Sequence, residues 1–125
     1  LNDAALALGA NKVALGHHYD DAIETFMLSM IYEGRISSFL PVTYMDRTGL
    51  TLIRPMLYLH EKTIRNFVER EQLPVVHNPC PADKNTKRED MKALLYELEG
   101  RYPGLKDNIF GGLQRSPLPG WKPVK

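Results

Sequence analysis

Val13-Ala14-Leu15-Gly16-His17-His18-Tyr19-Asp20-Asp21-Ala22-Ile23-Glu24-Thr25 decides how this chain folds and where it works. A short apolar run of strand character stops at Gly16. Two imidazoles and two carboxylates follow, and then a helix opens. In open α/β sheets, ligands collect where the carboxyl end of a strand turns into the next helix. Titratable side chains crowded into such a turn are costly to fold unless they serve a ligand or find partners.

Working outward, residues 2–10 predict a short helix ended by Gly9, and residues 12–16 a short buried strand. From Asp21 to Gly34, Ile23, Phe26, Met27, Met30 and Ile31 keep the spacing of one helical face. Residues 41–44 and 50–54 flank Met45-Asp46-Arg47-Thr48-Gly49, which predicts a hairpin or a strand–loop–strand, and Pro55 stops the second strand. Residues 61–71 are amphipathic, with Ile64, Phe67 and Val68 inward. Residues 73–76 read as a short edge strand opened by Pro74, and residues 77–85 as an irregular loop. Thr86 can cap a helix over 87–100, with Glu89 in the capping-box position and Met91, Leu94, Leu95 and Leu98 inward. Tyr102-Pro103-Gly104 breaks it, a last helix covers 105–110, and a loose Pro-rich basic tail starts at Gln114. The pattern is α/β: a partial parallel sheet flanked by helices.

The chain has 125 residues, 43% of them hydrophobic and 25% charged, enough for one globular core. A formal charge of +1 gives no global attraction for nucleic acid, so any such contact needs a local patch. No apolar run approaches the roughly 20 residues of a membrane helix, so no membrane partner is expected. Cys80 is the single cysteine, which excludes an internal disulfide and suits a reducing compartment. The chain begins at Leu1 within a helical pattern, so we expect a piece of a longer protein.

Asp21-Ala22-Ile23-Glu24 fits a capping box with Asp21 as cap, which leaves Asp20, His17 and His18 unexplained. A carboxylate pair repels a bare phosphate. A nucleotide here requires either Mg²⁺ between acid and phosphate, or acids facing another part of the ligand. Zinc on His17 and His18 is disfavoured, because adjacent histidines point in different directions. Arg54, before Pro55, is either a salt-bridged structural residue or a planar fork for phosphate. Cys80 between two prolines is either an idle thiol or a rigidly held ligand or nucleophile. Lys84, Lys87, Arg88, Lys92 and Arg101 form either a solvated helix face or a phosphate-backbone track, with Lys87 and Arg88 the candidate backbone contacts.

With these residues in view, the chain resembles the PP-loop ATP pyrophosphatases, and among them the TtcA-like branch that makes 2-thiocytidine in tRNA. Leu15 to Thr25 is similar to the family's second motif, and Tyr32-Glu33-Gly34-Arg35 through Pro41 to the segment after it. Ile53-Arg54-Pro55-Met56 resembles its Ile-Arg-Pro step. Asn78-Pro79-Cys80-Pro81 with Thr86-Lys87-Arg88 resembles the branch's cysteine loop. The family's Ser-Gly-Gly-x-Asp-Ser phosphate loop and its Cys-x-x-Cys pair occur nowhere in these 125 residues.

The resemblance implies the C-terminal part of an adenine nucleotide alpha hydrolase-like PP-loop domain over residues 1–113, with a flexible tail over 114–125. It implies that ATP adenylates the O2 oxygen of a tRNA cytidine and releases pyrophosphate, after which a sulfur nucleophile held at an iron–sulfur cluster displaces AMP. Asp20 and Asp21 would be catalytic, and Gly16, His17 and Arg54 would bind nucleotide with Mg²⁺. Cys80 would ligate a [4Fe-4S] cluster with two cysteines from outside this chain. The expected partners are tRNA and a sulfur donor protein or small sulfur carrier, in the cytoplasm, with a homodimer left open. The isolated chain is expected to be inactive. The rivals are a tRNA lysidine synthetase, which shares the His-His-x-Asp-Asp turn without needing the Pro-Cys-Pro loop, and a catalytically silent tRNA-binding or subunit-contact domain.

Overall fold

Val13 is the buried centre of β1 (Lys12–Ala14), with exposed residues on either side. The computed structural model describes residues 2–75 and 82–116, with side chains over 3–75 and 87–116. α1 (Asn2–Ala7) leads into β1. β2 (Val42–Met45) and β3 (Leu50–Ile53) form the expected hairpin, pairing Val42 with Ile53 and Met45 with Leu50. Gly49 turns it at φ +71°, donating its amide to the Met45 carbonyl at 2.9 Å. That left-handed conformation favours glycine.

β3 also pairs with β1 in parallel, from Lys12–Thr51 to Ala14–Ile53, so the strand order is β1-β3-β2. The sheet is therefore mixed: the expected parallel pair carries one antiparallel strand at its edge, a common finish in α/β folds. Arg54 follows β3 as His17 follows β1, so both leave the carboxyl ends of the parallel pair.

The helices supply most of the core. α2 (Tyr19–Leu28), α4 (Ala82–Arg101) and α5 (Leu105–Arg115) bury Tyr19, Ala22, Ile23, Met91, Leu95, Phe110 and Leu113 around Leu57. α3 (Glu61–Arg70) completes the set.

Several expectations are corrected. The helix expected to run to Gly34 as one α-helix changes at Ser29 into a π-helical turn, Ser29–Glu33, which Gly34 closes at φ +63°. The wider turn shifts the helical register. Met30 and Ile31, expected inward, are 46% and 52% exposed. α3 buries none of its residues, and Ile64, Phe67 and Val68 instead line an open apolar groove with Met56, Leu59 and Leu73. Its amphipathic pattern marks a face but not what covers it. Residues 73–75 form no strand, and residue 76 lies outside the described residues.

α4 begins at Ala82 rather than after Thr86, so Thr86 lies inside the helix and does not cap it. α5 reaches Arg115 because Phe110 and Leu113, one turn apart, are both buried. Gln114 and Arg115, assigned by sequence to the tail, are helical; residues 117–125 lie outside the described residues.

Candidate functional site

The turn after β1 is organised by a capping box three residues upstream of the expected one. His18 is the N-cap of α2: its Nδ1 accepts from the Asp21 amide at 3.4 Å, and Asp21 Oδ2 accepts from the His18 amide at 3.0 Å. The His18 Nε2 also faces Asp21 Oδ2 at 3.4 Å. The box forms here because β1 ends at Ala14, early enough for helical geometry to begin at Tyr19. Glu24, expected to reach back to the helix start, turns instead toward α4.

His17 points elsewhere. Its ring stacks on Phe39 with centroids 3.9 Å apart and planes 9° apart. Arg54 Nε donates to His17 Nδ1 at 3.1 Å, while Nη1 donates to the Leu40 carbonyl at 2.8 Å and approaches Thr43 Oγ1 at 3.4 Å. The Arg54 and Arg88 guanidiniums lie 5.1 Å and 6.0 Å from the Phe39 ring centre, a cation–π arrangement. Burial, and then the Arg54 charge, hold His17 below the ordinary histidine range. A neutral imidazole accepting at Nδ1 carries its proton on Nε2 and presents a donor there. Two guanidiniums and one imidazole N–H thus converge on an aromatic floor. This is chemistry for an anion. The Nη2 of Arg54 has no partner among the described residues.

Asp20 belongs to a different group. Its Oδ1 accepts from the Glu61 amide at 2.9 Å, tying down the start of α3, and its Oδ2 pairs with Lys106 of α5 at 2.7 Å. Burial pushes the Asp20 carboxyl up, but the Glu61 amide and the Lys106 ammonium outweigh it and hold it below the ordinary value. Tyr19 beside it donates to Asp107, stacks on His60 and packs on Phe110. Burial, followed by Asp107, pushes the Tyr19 hydroxyl well above its ordinary value.

Glu24 is 3% exposed and meets Arg88 Nη1 at 3.4 Å, while Arg88 Nη2 donates to Thr25 Oγ1 at 2.9 Å. Burial pushes the Glu24 carboxyl up to about 7, against Lys92 and Arg88. Lys87 lies 4.7 Å over the Tyr32 ring.

The structure therefore brings His17, Arg54 and Arg88 together and sends Asp20 into a helix-tying network. Asp21 keeps Oδ1 without a partner among the described residues. Gly16 is exposed, and a Cβ built on it would meet nothing within 4 Å. Cys80 lies outside the described residues. Among the described residues no three His, Cys, Asp or Glu side chains converge as a metal site, and no helix is long and apolar enough to cross a membrane. Phe39 and Lys106 escaped the sequence reading: Lys106 reaches Asp20 across 86 positions, a distance at which no local pattern carries a signal.

Residues 1–98 match the model of a family described as a PP-loop domain. A tRNA-cytidine(32) 2-sulfurtransferase of Tolumonas auensis is 39% identical over 111 residues, covering 88% of this chain and 37% of that protein. One from Burkholderia cenocepacia is 38% identical over 109 residues, covering 86% and 33%. The chain spans about a third of the length of these curated relatives. Among solved structures, the U34-tRNA thiolase NcsA from Methanococcus maripaludis with its [4Fe-4S] cluster superposes with a TM-score of 0.72. The match covers 92% of this chain and 39% of that one at 24% identity, a likeness of fold.

Proposed function

The chain belongs to the PP-loop domain family, and from that premise we propose that it forms the C-terminal side of the ATP cleft of a tRNA-thiolating enzyme. The observation that carries this reading is the convergence of His17, Arg54 and Arg88 on Phe39, beyond the carboxyl ends of parallel strands β1 and β3. That is the ligand side of an α/β sheet. Gly16 leaves room for a nucleotide against the backbone, and the Nε2 donor of His17 and the free edge of Arg54 face the phosphates. Asp21 offers Oδ1 to Mg²⁺ or to the reacting groups, and Asp20 holds α2 in register with α3 and α5. This unit extends through α5 to Arg115.

In the full-length protein the cytidine O2 attacks the α-phosphorus of ATP. The bond to the bridging oxygen breaks and pyrophosphate leaves; a sulfur nucleophile then adds at C2, and AMP departs with the oxygen. Pyrophosphate departure needs cations where negative charge builds, which is what this cluster supplies. Lys87 takes the tRNA backbone; Arg88, which the sequence offered as a second such contact, stays with the nucleotide cluster, held by Glu24 and Thr25. One cysteine cannot hold a [4Fe-4S] cluster, which normally draws three or four protein thiolates, so this chain alone does not make that site. We assign Cys80 as one ligand of three, the others and the sulfur donor coming from beyond these residues.

The test is Arg54→Met in the full-length protein. It is expected to weaken Mg-ATP binding by tenfold or more, roughly one charge-assisted contact, with the fold retained. Unchanged affinity by calorimetry would remove the cluster from the nucleotide site and leave the silent tRNA-binding reading.

A further inference from the structure

A cavity of about 510 Å³ opens where the π-helical turn meets the start of α4, bounded by Leu28, Ser29, Tyr32, Glu33, Lys87 and Arg88. Its volume falls within the roughly 300–1,000 Å³ of small-molecule sites. Three features set it apart from a gap between helices. The π turn, a form frequent at functional sites, leaves Tyr32 57% exposed with its ring beside the opening. Ser29, which lines the cavity, is 5% exposed, yet its hydroxyl has no hydrogen-bond partner among the described residues. Lys87 makes no ion pair among the described residues and rests over one face of Tyr32. By contrast, Arg88 is held by Thr25 and Glu24.

We infer that this cavity is a subsite for one unstacked nucleotide of single-stranded RNA. The base lies on the Tyr32 ring, the Ser29 hydroxyl bonds the base edge or the ribose 2′-hydroxyl, and Lys87 holds the phosphate. Specific RNA recognition works in this way, with a splayed base on an aromatic ring and cations on the backbone. Glu33 on the rim repels a phosphate and so places it on the Lys87 side. The inference rests on the proposed tRNA-modifying role and names a subsite that role does not require.

The test uses a fluorescein-labelled RNA heptamer with a central cytidine, titrated with this chain and followed by anisotropy. Tyr32→Ala is expected to raise Kd about tenfold or more, the effect of losing one stacking platform, while Tyr32→Phe stays within about twofold. Ser29→Ala weakens binding by about threefold or more, as the loss of one hydrogen bond does. Lys87→Ala lowers the slope of log K against log salt by about 0.7, one phosphate contact on a single strand. Tyr32 and Lys87 are exposed, so these variants keep the fold. No heptamer binding below about 1 mM, or Tyr32→Ala and Lys87→Ala both at the wild-type Kd, overturns the subsite. Arg54→Met separates the two readings. Lost dependence on Tyr32 with Mg-ATP binding still sensitive to Arg54 sinks only the subsite, and the reverse sinks only the nucleotide cleft.

Discussion

Glu24 sits beneath Arg88 and Lys92 with its carboxyl pushed up to about 7 by burial. The folded protein therefore keeps this proton at pH values where the unfolded chain, near 4.5, has lost it. Stability from this group is full below about pH 4.5 and is lost as pH rises through 7. Each pH unit is worth about 1.4 kcal/mol. Glu24→Gln should then gain on the wild type between pH 5 and pH 8 in thermal melts, by up to about 3 kcal/mol. Parallel curves would show that Glu24 stays charged throughout. His17 runs the other way: a lowered imidazole contributes stability that is lost as pH falls through its folded value. Nitrogen-detected NMR should find the Nε2-protonated tautomer at pH 7, and Arg54→Met should raise the His17 midpoint by removing a neighbouring cation. A midpoint unmoved by that substitution would break the assigned pairing.

At the scale of elements, Asp20 does the work that no residue at the start of α3 can do. The N-cap of α3, His60, makes no side-chain cap bond, and the Glu61 amide goes to Asp20 of α2. Caps are worth about 0.5–2 kcal/mol. With the Lys106 pair lost as well, Asp20→Ala should cost about 2–3 kcal/mol. Because α3 buries nothing, amide exchange at its first turn should rise before exchange in α2. Equal rates there would remove the capping role. α5 is started in the same borrowed fashion: Glu99 of α4 accepts from the amides of Gly104, Leu105 and Lys106. The starts of α3 and α5 are thus satisfied from other helices, whereas α2 is capped locally, by His18 three residues upstream of the expected Asp21.

For the whole molecule, the proposed chemistry divides between these residues and the rest of the longer relatives. The chain contains one cysteine and no Ser-Gly-Gly-x-Asp-Ser loop. The 125-residue chain purified alone should be colourless and take up no stoichiometric iron after reconstitution. In the full-length protein, Cys80→Ser should abolish the visible iron–sulfur absorption while Mg-ATP still binds. A cluster that survives that substitution would release Cys80 from the role assigned to it.

The order of strand, charged turn, helix, hairpin and helices was legible in the sequence, because each rests on local periodicity and punctuation: Gly16 ending an apolar run, Gly49 in the hairpin, Gly34 and Pro103 at helix ends. The residue types gathered at the turn were legible too, and so was the family they imply. Their division of labour was not. His17 and Asp20 lie three positions apart, yet one joins Arg54 on Phe39 and the other joins Lys106 and the Glu61 amide. Only tertiary packing decides this, because a polar or charged group taken from water must find a hydrogen-bond partner or a counter-charge wherever the fold brings one, and Arg54, Glu61 and Lys106 sit 37 to 86 residues away.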